Sequence, residues 1–197
     1  MHAMHDDISE ILLTKSQIHE RVVELGAQLS ADYASCGEDL ILLCILKGAS
    51  VFFTDLARAM TIPLQMEFMG IASYGDTVRS SGIVRITKDL DVSIMGKHVV
   101  IAEDIMDSGL TFSHLKQLLS SRNPASLRIC CLLDKPSRRA CDVTPDYRGF
   151  VIPDKFVVGY GLDYAGFYRN LPYVGVLKSS VYDEQQSVQQ DKTEGEI

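Results

Sequence analysis

The sequence predicts an α/β fold with a mostly parallel central sheet flanked by helices, and three observations carry that prediction. Runs such as "LILLCIL" (residues 40–46) and "VVIA" (99–102) are apolar without alternation, the pattern of strands covered on both faces. Between such runs lie amphipathic segments of ten or so residues, long enough to be the crossovers that parallel strands require. At 197 residues, with 46% hydrophobic and 23% charged content, the chain suits one compact domain with a sizeable core.

Taken in order, Thr14 followed by Gln17 forms a capping box, and Ile18, Val22, Leu25 and Leu29 recur at helical spacing until Gly37 interrupts. "DLILLCIL" is then a buried strand, "SVFFTDLARAM" a helix and "IPLQMEFMGI" a second strand, which together make a βαβ unit. "ASYGDTVRSSG" has two glycines, many hydroxyls and no apolar period, so it reads as a loop of about ten residues. "IVRITK" is a strand, and "VVIA" another. A helix follows in "FSHLKQLLSS", with Phe112, Leu115, Leu118 and Leu119 on one side, and then the strand "SLRICCLL". After Arg139 the chain breaks into turns and short strands through "FVIPDKFVVGYGLDY" and "YVGVL". The last fifteen residues, 183–197, lack apolar content and are expected to be a disordered acidic tail.

Charge and cysteine usage narrow the function. Of the net charge of −7, residues 183–197 carry −4, which leaves −3 for residues 1–182. No basic excess exists to make a general nucleic-acid surface, although a local pocket for a small anion is untouched by this argument. No apolar run approaches the roughly 18 residues of a membrane span. The start "MHAMHDDISE" has no basic segment leading into an apolar one, and none of the five cysteines forms a C-x-x-C pair, so a reduced, cytoplasmic setting is expected.

The stretch "KHVVIAEDIMDSGLTF" (97–112) carries the most chemistry. An apolar strand ends in Glu103, Asp104 and Asp107 and passes at once into small hydroxyl and glycine residues. In open α/β sheets ligands collect beyond the carboxyl ends of strands, and the amides of residues 108–112 would be the free donors of the helix that begins there. Ser108 and Thr111 add hydroxyls, and Gly109 lets backbone approach a phosphate. The acids, acceptors only when ionised, suit a ribose diol or a magnesium shell. Spacing alone leaves other readings open: phosphotransfer receivers and magnesium phosphatases also place carboxylates after a strand, and a solvated turn is commoner than either. A Walker loop is excluded, because "GIASYGDT" has Asp76 and Thr77 where Lys and Ser or Thr are needed, and no G-x-G-x-x-G fingerprint occurs.

"VIAEDIMDSGLT" resembles the signature of the type I phosphoribosyltransferases, and residues 39–177 resemble the bacterial branch of that family that acts on hypoxanthine and guanine. "LKGA" (46–49), "SYG" (73–75), "LLDKPSRR" with "PDKFVVGYGLDY", and "FYRNLPYVGVL" extend the likeness in the same order. Ser108, where Thr is common, is the one departure in the signature, and the hydroxyl survives it. The resemblance implies a type I fold with a small hood subdomain, built from the N-terminal helix and residues from about 150 to 182, within a single domain of residues 1–182. It implies purine salvage: transfer of the phosphoribosyl group of phosphoribosyl pyrophosphate (PRPP) to hypoxanthine or guanine, giving IMP or GMP and pyrophosphate, with Mg2+. A xanthine-preferring enzyme and an RNA-binding regulator on the same fold are the rivals. A homodimer or homotetramer is implied, with no nucleic-acid or membrane partner.

Residue by residue, the resemblance makes Asp107 the catalytic group that handles the purine N7 proton. Glu103 and Asp104 become the acidic pair beside the ribose hydroxyls and magnesium, and Ser108, Gly109, Leu110 and Thr111 the 5'-phosphate loop. Lys47 and Gly48 are implied to bind pyrophosphate after a cis peptide bond, and Ser73 and Tyr74 to belong to a closing loop. Lys135 would donate to the purine 6-oxo group and so reject adenine, Phe156 would stack on the base, and Val157 and Asp163 would meet its edge. Asp163 is further implied to be a second magnesium contact, and Arg169 a pyrophosphate clamp. Without the resemblance these residues have plainer readings: a solvated helix-entry acid for Asp107, a surface charge cluster for Glu103 and Asp104, a solvated strand end for Lys47, a hairpin tip for Ser73 and Tyr74, core for Phe156, and a surface ion pair for Asp163 and Arg169.

Overall fold

The computed structural model describes residues 4–73 and 84–182. In chain order its elements are β1 (Ile8–Leu13), α1 (Lys15–Asp32), β2 (Leu40–Leu46), α2 (Ser50–Ala59), β3 (Gln65–Ser73), β4 (Val84–Lys88), β5 (His98–Met106), α3 (Leu110–Ser120), β6 (Ser126–Asp134), β7 (Tyr147–Val151), β8 (Val157–Val158) and β9 (Val174–Leu177). Short 3-10 turns lie at Met4–Asp7 and Pro136–Arg138.

The chain divides into two compact units. The larger, residues 16–154, is built on a six-stranded sheet of order β4-β3-β2-β5-β6-β7. Every pairing in it is parallel except β3 with β4, which is antiparallel. The unalternating apolar runs become the central strands, as expected, because both faces are covered. Ile41, Leu43 and Ile45 of β2, Val99 and Ile101 of β5, and Ile129 and Cys131 of β6 form one cluster with Phe112, Leu115 and Leu119 of α3. The intervening residues Leu40, Leu42, Val100, Ala102, Cys130 and Leu132 are buried too, and α2, which lies along β2 and β5, covers their face. α1 starts directly after Thr14 and buries Ile18, Val22, Leu25 and Leu29. It approaches α2 closely at Gly26, where a Cβ would stand 2.7 Å from that of Ala59.

The smaller unit comprises residues 4–15 and 155–182 of those described and holds an antiparallel sheet of order β1-β9-β8. Val158, Tyr168, Leu171, Tyr173 and Leu177 make its core. Its N-terminal contribution is β1 and the turn before it, whereas α1, assigned to the small subdomain from sequence, lies in the larger unit. β1 itself was not foreseen: among the described residues it is an edge strand paired with β9, and it buries Leu13 alone, so it carries no apolar alternation to read.

Candidate active site

The winding of the large sheet fixes where a ligand can enter. From β2 the chain crosses through α2 to β3 on one side, and from β5 it crosses through α3 to β6 on the other. Winding therefore reverses between β2 and β5, and a crevice opens at their carboxyl ends. The two strands pair only as far as Cys44 with Ala102. β5 runs on beside β6, pairing Glu103 with Cys131 and Met106 with Asp134. Glu103 and Asp104 thus belong to β5, which outlasts β2 because β6 continues the ladder past the end of β2.

The edge that β5 leaves open faces the turn after β2. There the Leu46–Lys47 peptide bond is cis, as the resemblance implies. Asp104, 7% exposed, packs directly on Gly48: its Cγ stands 2.9 Å from where a Cβ at residue 48 would lie. Asp104 Oδ1 accepts from the amide of Ile105 at 2.8 Å. Glu103 directs a buried Oε2 that has no hydrogen-bond partner among the described residues. Burial, reinforced by the Asp104 charge, holds its carboxyl well above the usual range.

Beyond β5, Asp107, Ser108 and Gly109 turn the chain into α3. Gly109 has φ 81°, a left-handed conformation that glycine adopts without strain. Among the described residues no side chain caps this helix at Gly109, and no acid sits in its first turn, so its leading amides remain available. The contact of Leu110 N with Ser108 Oγ is long at 3.4 Å. The turn is held from outside by the segment after β6. Arg139 Nη1 donates to the Asp107 carbonyl at 2.9 Å, and Ala140 N to the Ser108 carbonyl at 2.8 Å.

Lys135 is 5% exposed, and its amide donates to Met106 O at 3.0 Å. Burial lowers its ammonium pKa, while Asp107 and Asp154 act the other way. Arg138 reaches Asp107 Oδ1 at 3.3 Å and Asp154 Oδ1 at 3.6 Å. The contact with Asp107 lacks hydrogen-bond geometry, so Oδ1, itself shielded from solvent, keeps its acceptor capacity. Lys47, Gly48, Glu103, Asp104, residues 107–109 and Lys135 are therefore on strand ends or turns of the larger unit, and Leu110 and Thr111 open α3.

The smaller unit carries four more expected residues. Phe156 is 43% exposed, and its ring meets Tyr164 edge-on at 5.7 Å and Tyr182 at 5.3 Å between centroids. Val157 is buried in β8. Asp163 Oδ1 pairs with Arg169 Nη2 at 2.6 Å, and Oδ2 accepts from Gly166 N at 2.8 Å. Arg169 Nη1 donates to Gly161 O at 2.6 Å. Asp163 and Arg169 are thus partners of one another. Ser73 ends β3, but its side chain and all of Tyr74 lie outside the described residues.

Asp134 and Arg139, both within "LLDKPSRR", have no role among the expectations from sequence. An acid closing an unalternating apolar strand, followed within five residues by two arginines, was the available signal.

A doubly wound sheet that brings two carboxylates and an uncapped helix N-terminus to its switch point is equipped to hold a sugar phosphate. The chain belongs to the phosphoribosyl transferase family: the model of that family described as "Phosphoribosyl transferase domain" matches residues 10–165. Its relatives are narrower in kind. The hypoxanthine-guanine phosphoribosyltransferase of Mycobacterium bovis is 54% identical over 180 residues, covering 89% of each chain. That of Bacillus subtilis is 50% identical over 182 residues, covering 91% of this chain and 99% of the other. The crystal structure of a hypoxanthine phosphoribosyltransferase from Staphylococcus aureus superposes with a TM-score of 0.88 at 48% identity, covering 92% of this chain and 98% of that one.

Proposed function

We propose that this protein transfers the phosphoribosyl group of PRPP to hypoxanthine or guanine, releasing pyrophosphate and forming IMP or GMP. The observation that carries the reading is the uncapped α3 N-terminus after Gly109, set directly beyond the Glu103–Asp104 strand end. As pyrophosphate departs, positive charge grows on the ribosyl carbon. The chain has to hold the phosphates still, accept hydrogen bonds from the ribose hydroxyls and manage the base's proton.

Each task has a residue. The amides and hydroxyls of Ser108, Gly109, Leu110 and Thr111 bind the 5'-phosphate, and Glu103 and Asp104 accept from the ribose hydroxyls. Asp107 holds or releases the N7 proton as general acid or base. Lys135 offers donors only, which suits a 6-oxo group and leaves the amino group of adenine unpaired. Lys47 and Gly48, with Arg169, meet the pyrophosphate. Phe156, with the backbone at Val157 and Asp163, serves the base, and Ser73 and Tyr74 belong to a loop that excludes water.

Magnesium fits the donor set. The carboxylates of Glu103 and Asp104 are hard oxygen ligands, and Glu103 Oε2 is buried without a hydrogen-bond partner among the described residues. Magnesium keeps several waters and takes substrate oxygens, so two carboxylates suffice to hold it. When bound, it neutralises charge on the departing pyrophosphate. Asp163 is proposed as a second contact, once freed from Arg169. A cytoplasmic homodimer or homotetramer completes the reading.

A spectrophotometric assay of hypoxanthine, guanine, xanthine and adenine with PRPP and magnesium tests it. Turnover of the first two above the others is expected. Preference for xanthine, or no turnover of any base, would overturn it.

A further inference from the structure

Asp134 closes β6 at 2% exposure. A carboxylate buried so deeply needs charged partners, and it has two: Arg139 Nη2 on Oδ1, and Arg148 Nη1 on Oδ2 at 3.1 Å. One arginine would suffice to neutralise the charge. The second does something else, because Arg139 Nη1 donates to the Asp107 carbonyl at 2.9 Å. The Arg139 stem follows the same line, with Cδ standing 3.1 Å from where a Cβ at Gly109 would lie. The next two residues continue the contact: Ala140 N donates to Ser108 O at 2.8 Å, and Cys141 Sγ to the same carbonyl at 3.6 Å. Residues 139–141 therefore grip the turn by the carbonyls of Asp107 and Ser108, leaving the Gly109 carbonyl to Ser113 N within the helix. A planar guanidinium can hold two acceptors at a fixed angle, which an ammonium cannot.

We propose that Arg139, anchored by Asp134, is a positioning residue for the phosphate loop: it fixes the Asp107 carbonyl so that the amides beyond Gly109 are already aimed before substrate arrives. The identity of the phosphate as a 5'-nucleotide rests on the function proposed above. The clamp itself does not.

The test compares two ligands by calorimetry in the presence of magnesium. Arg139→Lys keeps a cation for Asp134 and loses the fork. It should weaken GMP binding about tenfold, the loss of one charge-assisted hydrogen bond's worth of preorganisation. Pyrophosphate alone, which does not use the loop, should bind as before, and the melting temperature should hold. Asp134→Asn combined with Arg139→Gln removes both buried charges, and it should show the same selective loss even where the lysine variant folds poorly. Unchanged GMP affinity in a folded variant overturns the clamp. So does a parallel weakening of GMP and pyrophosphate that tracks lost thermal stability. A wild-type chain that binds no GMP overturns the proposed function instead, and that outcome is seen before any variant is made.

Discussion

Asp104 lies against the α-carbon of Gly48: a methyl group at residue 48 would overlap Oδ2 and stand 2.9 Å from Cγ. Two segments that are more than fifty residues apart in sequence thus share one edge of the crevice. The turn after β2 can be close to the acidic strand end only because residue 48 has no side chain.

Gly48→Ala is therefore expected to displace Asp104 and lower kcat/KM for PRPP about 100-fold, the usual result of moving a binding group by roughly 1 Å. Steady-state kinetics together with a crystal structure of the variant check it. Wild-type kinetics with Asp104 in place would refute the packing argument.

Glu103 gives a pH dependence of defined sign. Its folded-state pKa lies above the ordinary 4.5, first through burial and then through Asp104. The native state therefore holds its proton more tightly than the unfolded chain, and stability falls as pH rises from about 4.5 through the raised value. Glu103→Gln lacks this loss. In metal-free buffer, its melting temperature should equal wild type near pH 4 and exceed it increasingly toward pH 8. Parallel melting curves across that range would count against the assignment.

Lys135 is the residue proposed to set the base preference. Wild type should favour hypoxanthine over adenine by about 10⁴, since a donor-only group leaves the adenine amino group unpaired. Lys135→Gln, which carries a donor and an acceptor, should narrow that ratio by about 100-fold, mainly through slower use of hypoxanthine. Equal discrimination in the variant would remove Lys135 from this role.

The thiols report on the phosphate loop. Cys44, Cys130 and Cys131 are buried, whereas Cys36 and Cys141 are partly exposed. Burial pushes the Cys44 thiol up to about 12 and raises those of Cys130 and Cys131 as well. A disulfide reagent should consume two thiols in the native protein and five after denaturation. Cys141 touches the Ser108 carbonyl, so GMP should slow its modification and leave Cys36 unaffected. Equal protection of both would contradict the placement.

How much of this could be read in advance varies by element. The central strands were legible because burial on both faces leaves an unbroken apolar run, and α1 because Ile18, Val22, Leu25 and Leu29 keep helical spacing. β1 was missed because an edge strand has little burial to record. The anion site proposed for residues 107–111 rests on residue types the sequence shows, whereas the roles proposed for Lys47, Lys135 and Phe156 rest on the family resemblance.

The sequence by itself determined the parallel sheet, the turn into α3 and the residue types on it, since each depends on neighbours within a few positions. Tertiary structure alone decided that β5 outruns β2, that Asp104 meets Gly48, that Asp163 and Arg169 are partners, and that Arg139 spans Asp134 and the Asp107 carbonyl. These are contacts between distant or separately turned segments, where pairing register and burial choose the partners and no local pattern records them.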